Sequence, residues 1–180
     1  KRITSNMLYL SAFYLVLNLF SGQEDLVIAI PVSGRDSYDL SDTVGMFAKS
    51  VLLRIQAQNT WSVKELINSI KNIVINSLEN QNYPVERILN EKGRKRDFYS
   101  NSLYDVLFSY QAYDLENVNS DEITVIDDNE IRKYIDCDLN FIIDDFHDKH
   151  DITIEYRESL YNENDIRKML YVYLHILTTI

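Results

Sequence analysis

The stretch FSGQEDLVIAIPVSGRDSYDLSDTVGMFAKSVLLR, residues 20–54, carries the strongest structural signals of this chain. Its apolar, β-branched centre at residues 26–30 predicts a buried strand. Pro31 and Gly34 are expected to close that strand, because proline cannot donate to a sheet ladder and glycine permits a tight bend. Arg35 then lies just past the strand end, where chains usually carry side chains for function.

The second half of this stretch predicts another strand. A loop rich in Asp, Ser and Tyr leads to residues 44–47, which form a compact apolar group. Residues 51–53 then predict a short strand capped by Arg54. Two buried strands joined by such a loop occur in many folds. The particular order of residues in this stretch is less common and therefore more informative.

Helices and further strands are predicted on both sides. Apolar residues lie on most sides of a helix at residues 3–19, so it is expected to be covered on more than one face. Ser62 and Glu65 predict a capping box at the start of a helix that runs to the Asn-rich turn at 80–82. Tyr83 and Pro84 start a short helix. The remaining elements are a polar loop at 91–98, strands at 103–110 and 123–126, a hairpin of 139–143 with 152–156, and a last helix capped by Asn162.

Composition restricts the class of protein. With 180 residues, 46% of them hydrophobic and 26% charged, the chain can bury one sizeable core. No linker or repeat divides it, so the sequence predicts a single α/β domain over residues 1–180, with helices covering a mixed sheet. A net charge of −10 argues against nucleic-acid binding, which needs a basic surface.

Cysteine content and hydropathy indicate the cellular compartment and whether the chain is expected to contact a membrane. The one cysteine, Cys137, excludes an intramolecular disulfide and favours a reducing cytoplasm. The apolar run at residues 7–20 is too short to span a bilayer and predicts a buried helix, so no membrane partner is expected. The chain begins at Lys1, inside a predicted helix, and is therefore expected to be part of something longer.

The motifs, in their order, resemble the C-terminal half of a condensation domain of a nonribosomal peptide synthetase. That family has SGQED, a strand, PVSGR, a loop and (I/V)GxFVNT…R. Here residues 44–54 read VGMFAKSVLLR, with Lys49 for the usual Asn and Leu52 where proline is common.

Further stretches follow in the family's order. NQNYPVE at 80–86 resembles (H/N)QDYPFE, with Asn82 for Asp and Val85 for Phe. RDFYSNSL at 96–103 resembles RDxSRNPL, with departures at Tyr99, Ser100 and Ser102. VLFSYQ at 106–111 is similar to the family's vmFxxQ strand, and residues 160–177 resemble its closing helix.

The resemblance implies one lobe of the two-lobed, chloramphenicol acetyltransferase-like fold. In the intact domain it implies amide-bond formation between carrier-bound donor acyl or peptidyl and acceptor aminoacyl thioesters. The family's catalytic HHxxxDG motif lies in the other lobe, and the histidines here, His147, His150 and His175, form no adjacent pair. The lobe alone is therefore expected to be inactive. Epimerisation or heterocyclisation relatives and a non-catalytic carrier-docking lobe remain alternatives.

The implied partners are the N-terminal lobe of the same domain, peptidyl or acyl carrier domains and an adjacent adenylation domain. No cofactor is expected to bind directly, since the substrates travel on phosphopantetheine arms of the carriers. Arg35 is assigned the role of bracing the aspartate of the absent motif, because a guanidinium can hold a carboxylate by two bonds. The alternative is a surface turn residue.

Other motif positions are assigned to the channel or lobe interface, with ordinary packing or a helix start as the alternative. They are Gly34, Gly45, Phe47, Arg54, Tyr83, Pro84, Glu86, Arg96, Asp97 and Asn101.

A metal site is not expected. Residues 144–151 contain imidazoles and carboxylates, which are suitable ligands. However, they fall at a predicted hairpin turn, where polar residues collect, and Lys149 would repel a cation. His175 is expected to be a partly exposed helix residue, and Cys137 shows no signature of a nucleophile.

Overall fold

The computed structural model describes residues 3–35, 42–58, 60–84, 87, 91, 104–113, 137–146 and 149–180. The predicted strand at 123–126 and most of the predicted helix and loop after Pro84 lie outside these residues. The helices are α1 (Ser5–Ser21), α2 (Val63–Glu79) and α3 (Glu163–Thr179). The strands are β1 (Asp25–Val32), β2 (Lys49–Gln56), β3 (Val106–Ala112), β4 (Leu139–Asp145) and β5 (His150–Tyr156).

The five strands form one mixed sheet in the order β2-β1-β3-β4-β5, which confirms the predicted α/β fold. The inner strands β1, β3 and β4 are parallel, and the outer strands run antiparallel to their neighbours. At one edge, therefore, β1, β3 and β4 end while β2 and β5 begin. Val32 faces Lys49 there, and Asp145 faces His150. We call this the carboxyl edge.

Helix α1 packs against the sheet and contributes a large part of the core. It is covered on more than one face, as predicted: its buried residues include Leu10, Ala12, Phe13 and Val16. The ring of Phe13 lies 5.5 Å from that of Phe108 on β3 and 4.6 Å from that of Phe141 on β4. Truncating a buried phenylalanine to alanine costs about 3–5 kcal/mol, so this aromatic contact fixes α1 on the sheet.

The predicted caps of α2 and α3 are confirmed. The amide of Ser62 donates to Glu65 Oε2 at 2.7 Å, and the amide of Glu65 donates to Ser62 Oγ at 3.4 Å. The Asp165 amide donates to Asn162 Oδ1 at 3.0 Å. These contacts satisfy free amides at the helix starts, so both helices begin where the sequence places them.

Three predictions around β1 and β2 are wrong. Pro31 does not close β1, which continues to Val32. Proline is tolerated because the pairing of β1 with its parallel neighbour lies at Ala29 and Leu107, before the proline is reached. Arg54 does not cap β2, because the strand runs on to Gln56.

The third correction concerns residues 44–47, which are not a compact apolar group. Val44 and Met46 are 99% and 90% exposed, while Phe47 is partly buried. The predicted bend at Gly34 is confirmed, with φ of 66°. On α3, the buried residues are Ile166, Met169 and Tyr173, while Leu174 is 46% exposed.

Within the described residues, none of the helices has the length and apolar character needed to cross a membrane.

Candidate functional site at the carboxyl edge

Gly34 brings the chain that leaves β1 against the chain that enters β2. Its φ of 66° lies in the left-handed region, which residues with a Cβ rarely adopt. A Cβ at this position would also collide with the carbonyl oxygen of Phe47. Two properties of glycine therefore permit the close approach of the two segments: its left-handed conformation and its lack of a side chain.

Arg35 then fastens the segment at residues 42–48. Its guanidinium carbon lies 4.6 Å from the centre of the Phe47 ring, within the range of a cation–π interaction. Nη1 donates to the carbonyl oxygen of Thr43 at 2.9 Å, and Nη2 lies 3.5 Å from that of Gly45. One exposed arginine thus contacts three alternate residues of the loop.

Gly45 permits this arrangement. A Cβ there would lie 3.0 Å from Cε2 of Phe47, tighter than an ordinary van der Waals contact. Gly34, Arg35, Gly45 and Phe47 therefore form one interlocked unit, which we call the arginine clasp. These four positions were assigned from the motifs, and the structure brings them together.

The turn after α2 joins the same edge through Lys49. The Lys49 ammonium donates to Asn82 Oδ1 at 2.7 Å. Next to it, the hydroxyl of Tyr83 donates to Glu91 Oε1 at 3.3 Å, and burial followed by the Glu91 carboxylate raises the pKa of Tyr83. The carbonyl oxygen of Pro84 accepts from the Arg87 amide at 3.1 Å. Asn82, the residue before Tyr83, is the one whose contact links this turn to the start of β2.

Lys49 and Asn82 are two of the positions where this chain departs from the family's motifs. The structure places them in contact. A hydrogen bond with a charged donor is stronger than one between neutral groups, which suits a link between the start of β2 and the turn after α2.

A polar cluster that the sequence did not indicate lies at the other end of the carboxyl edge. The Tyr110 hydroxyl donates to Asp145 Oδ2 at 2.6 Å. His150 Nε2 lies 3.4 Å from Asp145 Oδ1 and 3.1 Å from the hydroxyl of Tyr9. Burial, followed by the hydrogen bond to Asp145, raises the pKa of Tyr110 to about 12. Beside the cluster, the rings of Tyr113 and Phe146 stack at 5.0 Å.

Arg54 is not part of the carboxyl edge. It lies opposite Val27, near the other end of β1, and its Nη2 is 2.6 Å from Asp25 Oδ2. The hydrogen bond from Arg54 lowers the pKa of Asp25. Four further motif positions, Glu86, Arg96, Asp97 and Asn101, lie outside the described residues.

The part of the chain that is described contains no group of three or more His, Cys, Asp or Glu that could hold a metal ion. Within residues 144–151, Lys149 forms an ion pair with Asp151 at 2.8 Å, and His147 lies outside the described residues. His150 and Asp151 belong to β5 rather than to the turn. His175 is exposed on α3, as predicted, and Cys137 is buried.

Comparison with known proteins gives a family match over the whole chain. The model of the condensation domain family matches residues 1–180. Gramicidin S synthase 2 of Aneurinibacillus migulanus is 28% identical over 179 residues, which cover 98% of this chain and 4% of that protein. The chain therefore spans a small fraction of this curated relative.

Two solved structures show the same fold. A four-domain nonribosomal peptide synthetase bound to AMP and glycine superposes with a TM-score of 0.84 at 18% identity, covering 98% of this chain and 15% of that chain. The condensation domain from the monacolin K polyketide synthase superposes with a TM-score of 0.79 at 20% identity, covering 98% of this chain and 41% of that chain.

Proposed function

The chain belongs to the condensation-domain family, and we propose that it is the C-terminal lobe of such a domain in a nonribosomal peptide synthetase. The intact domain joins a donor acyl or peptidyl thioester to an acceptor aminoacyl thioester. Both substrates are carried on phosphopantetheine arms of carrier domains that act in the cytoplasm beside an adenylation domain. The catalytic HHxxxDG motif belongs to the N-terminal lobe, so this lobe is inactive alone.

The reaction needs positioning more than it needs a cofactor. The acceptor amine attacks the donor thioester carbonyl, a C–N bond forms, the C–S bond breaks, and the carrier's sulfur leaves while the amine loses its proton. Holding two thioester arms end to end converts a bimolecular step into an effectively unimolecular one. A positioned base or hydrogen-bonding group then helps with the proton.

The arginine clasp is the observation that carries this proposal. Arg35 lies at the carboxyl edge, and parallel strands of open sheets present their functional groups at such edges. Its guanidinium is already oriented by the Phe47 ring and by the Thr43 carbonyl oxygen. Such an arginine can hold a carboxylate without first ordering its own side chain, which supports the role of bracing the catalytic loop of the other lobe.

The experiment measures amide product from carrier-bound donor and acceptor thioesters. Two proteins are compared: the parent domain with both lobes, and the 180-residue chain alone. We expect product from the parent domain only. Product from the chain alone would show that this lobe carries the chemistry itself. A parent domain without product would favour a non-catalytic lobe that docks carrier domains.

A further inference from the structure

A groove lies at the end of the sheet opposite to the carboxyl edge. There β1 begins and β2 ends, with Asp25 facing Gln56. The C-terminal half of α1, the chain that leaves β2 and the first turn of α2 form its walls, and Trp61, the one tryptophan of the chain, lines it. We call it the tryptophan groove. Neither the sequence motifs nor the proposed reaction gives it a role.

Hydrogen bonds hold the walls of the tryptophan groove in place. The hydroxyl of Tyr14 donates to the carbonyl oxygen of Glu24 at 2.8 Å and accepts from the Ala57 amide at 3.3 Å. It thereby ties α1 to the chain that enters β1 and to the chain that leaves β2. The Trp61 amide donates to the carbonyl oxygen of Gln58 at 2.9 Å, which closes the turn before α2. The groove is therefore preformed, as sites for small ligands usually are.

The size and lining of the tryptophan groove suit one six-membered ring. Its volume is about 120 Å³, and an apolar cavity of about 150 Å³ can take up benzene. Tyr14, Ala57, Trp61 and Leu66 supply apolar surface to it. An aromatic ligand is favoured over an aliphatic one of the same size, because a tyrosine and a tryptophan of the lining can pair with its ring.

Two side chains of the lining supply a hydrogen-bond acceptor and a donor. Nδ2 of Asn18 donates to the carbonyl oxygen of Gln23 at 2.8 Å. This bond fixes the orientation of the amide and does not engage its acceptor atom, Oδ1. Trp61 carries an indole N–H, which is a donor only. A hydroxyl group on the ring can donate to the amide oxygen and accept from the indole, whereas a bare hydrocarbon can do neither.

We propose that the tryptophan groove binds a small phenol, a single aromatic ring with one hydroxyl group. The ring packs on Trp61, Tyr14 and Leu66, and the hydroxyl bonds to Asn18 and to the indole N–H. The inference goes beyond the proposed function, and it does not depend on amide formation. Since the groove and Arg35 lie at opposite ends of the sheet, the ligand leaves the arginine clasp untouched.

Fluorine NMR of 4-fluorophenol tests this with the parent domain, by titrating the protein into the ligand and measuring the dissociation constant. Ala57→Leu fills the tryptophan groove. Val63→Phe narrows it at a residue of the lining that is 42% exposed, so this variant should fold even if the first one does not. Ala112→Leu makes the same change as the first variant at an exposed position of β3 and is the matched control. Fluorobenzene, which lacks the hydroxyl group, is titrated in parallel.

We expect saturable binding of 4-fluorophenol with a dissociation constant on the order of 1 mM. Ala57→Leu and Val63→Phe should weaken it about tenfold, and Ala112→Leu should leave it unchanged. Fluorobenzene should bind at least threefold more weakly. Binding that does not saturate, or that both groove variants leave unchanged, would overturn the proposal. Equal affinity for fluorobenzene would also overturn it, because the hydroxyl group would then make no contact. An inactive parent domain that binds the phenol would contradict only the proposed reaction.

Discussion

Arg35 and Phe47 contact each other across the carboxyl edge, with the guanidinium carbon 4.6 Å from the ring centre. The residue before this arginine, Gly34, meets the backbone of the same phenylalanine. Two neighbouring residues at the end of β1 therefore hold one residue ahead of β2. This contact joins the PVSGR-like and VGMF-like motifs into one structural unit.

The first prediction concerns Gly34. Gly34→Ala should destabilise the chain by about 2 kcal/mol or more, since a left-handed backbone costs a residue with a Cβ about 1–2 kcal/mol and the new methyl group also meets the Phe47 carbonyl. Urea unfolding measures the loss. Gly22→Ala is the matched control: Gly22 has φ of 69° with nothing within 4 Å of a Cβ, so it should lose only the roughly 1–2 kcal/mol of the backbone conformation, less than Gly34→Ala. Equal losses in the two variants would argue against the contact with Phe47.

The second prediction concerns Tyr110. Tyr110→Phe removes the hydrogen bond to Asp145, and a bond to a charged group contributes roughly 1.5–3 kcal/mol at neutral pH. Because the pKa of Tyr110 is raised to about 12, the folded state retains the proton above pH 10, where the unfolded chain releases it. Stability should therefore fall as the pH rises from about 10 to about 12.

Unfolding free energies of wild type and Tyr110→Phe, measured across that alkaline range, check this. The difference between the two proteins should shrink as the pH rises. Tyr171→Phe, at an exposed position of α3, serves as the control and should change little. A constant difference between wild type and Tyr110→Phe would contradict the assigned ionisation.

The third prediction concerns Asp25 and Arg54. Because Arg54 lowers the pKa of Asp25, the ion pair stabilises the fold above the unfolded pKa of about 3.9 and loses its effect as the pH falls through the lower folded value. Asp25→Asn should therefore be less stable than wild type at pH 7 and equally stable in strong acid. Arg54→Met should show the same dependence. No loss of stability at pH 7 in either variant would mean that the ion pair contributes nothing measurable. A loss that persists in strong acid would mean that it does not come from the ionised pair.

Local patterns in the sequence were enough for most of the fold. The apolar run of β1, the alternation in β4 and β5, and the Ser62–Glu65 capping box each depend on neighbours within a few residues. Such local signals predict a helix or strand without knowledge of its tertiary contacts. The order of helices and strands also predicted the α/β class, which the five-stranded mixed sheet confirms, and the motif order added the resemblance to a condensation-domain lobe.

The candidate site was only partly accessible to the same reasoning. The apolar residues at 44–47 suggested that they pack together. In the structure, however, Phe47 contacts the Arg35 guanidinium, and Val44 and Met46 are exposed to solvent. The hydrogen bond between Tyr9 and His150 joins residues 141 positions apart, and no local pattern reports such a contact. Arg54 matched the motif by position, yet strand register places it near the other end of β1.

The bracing role of Arg35 is tested most directly by the rate of amide formation by the parent domain. Arg35→Ala should lower that rate at least tenfold, while urea unfolding changes by no more than about 1 kcal/mol, as expected for a cation–π contact at an exposed site. Arg35→Lys should restore only part of the rate, since lysine cannot hold a carboxylate by two bonds. Arg54→Ala is the matched control away from the carboxyl edge and should keep the wild-type rate. A wild-type rate for Arg35→Ala with unchanged stability would contradict the bracing role.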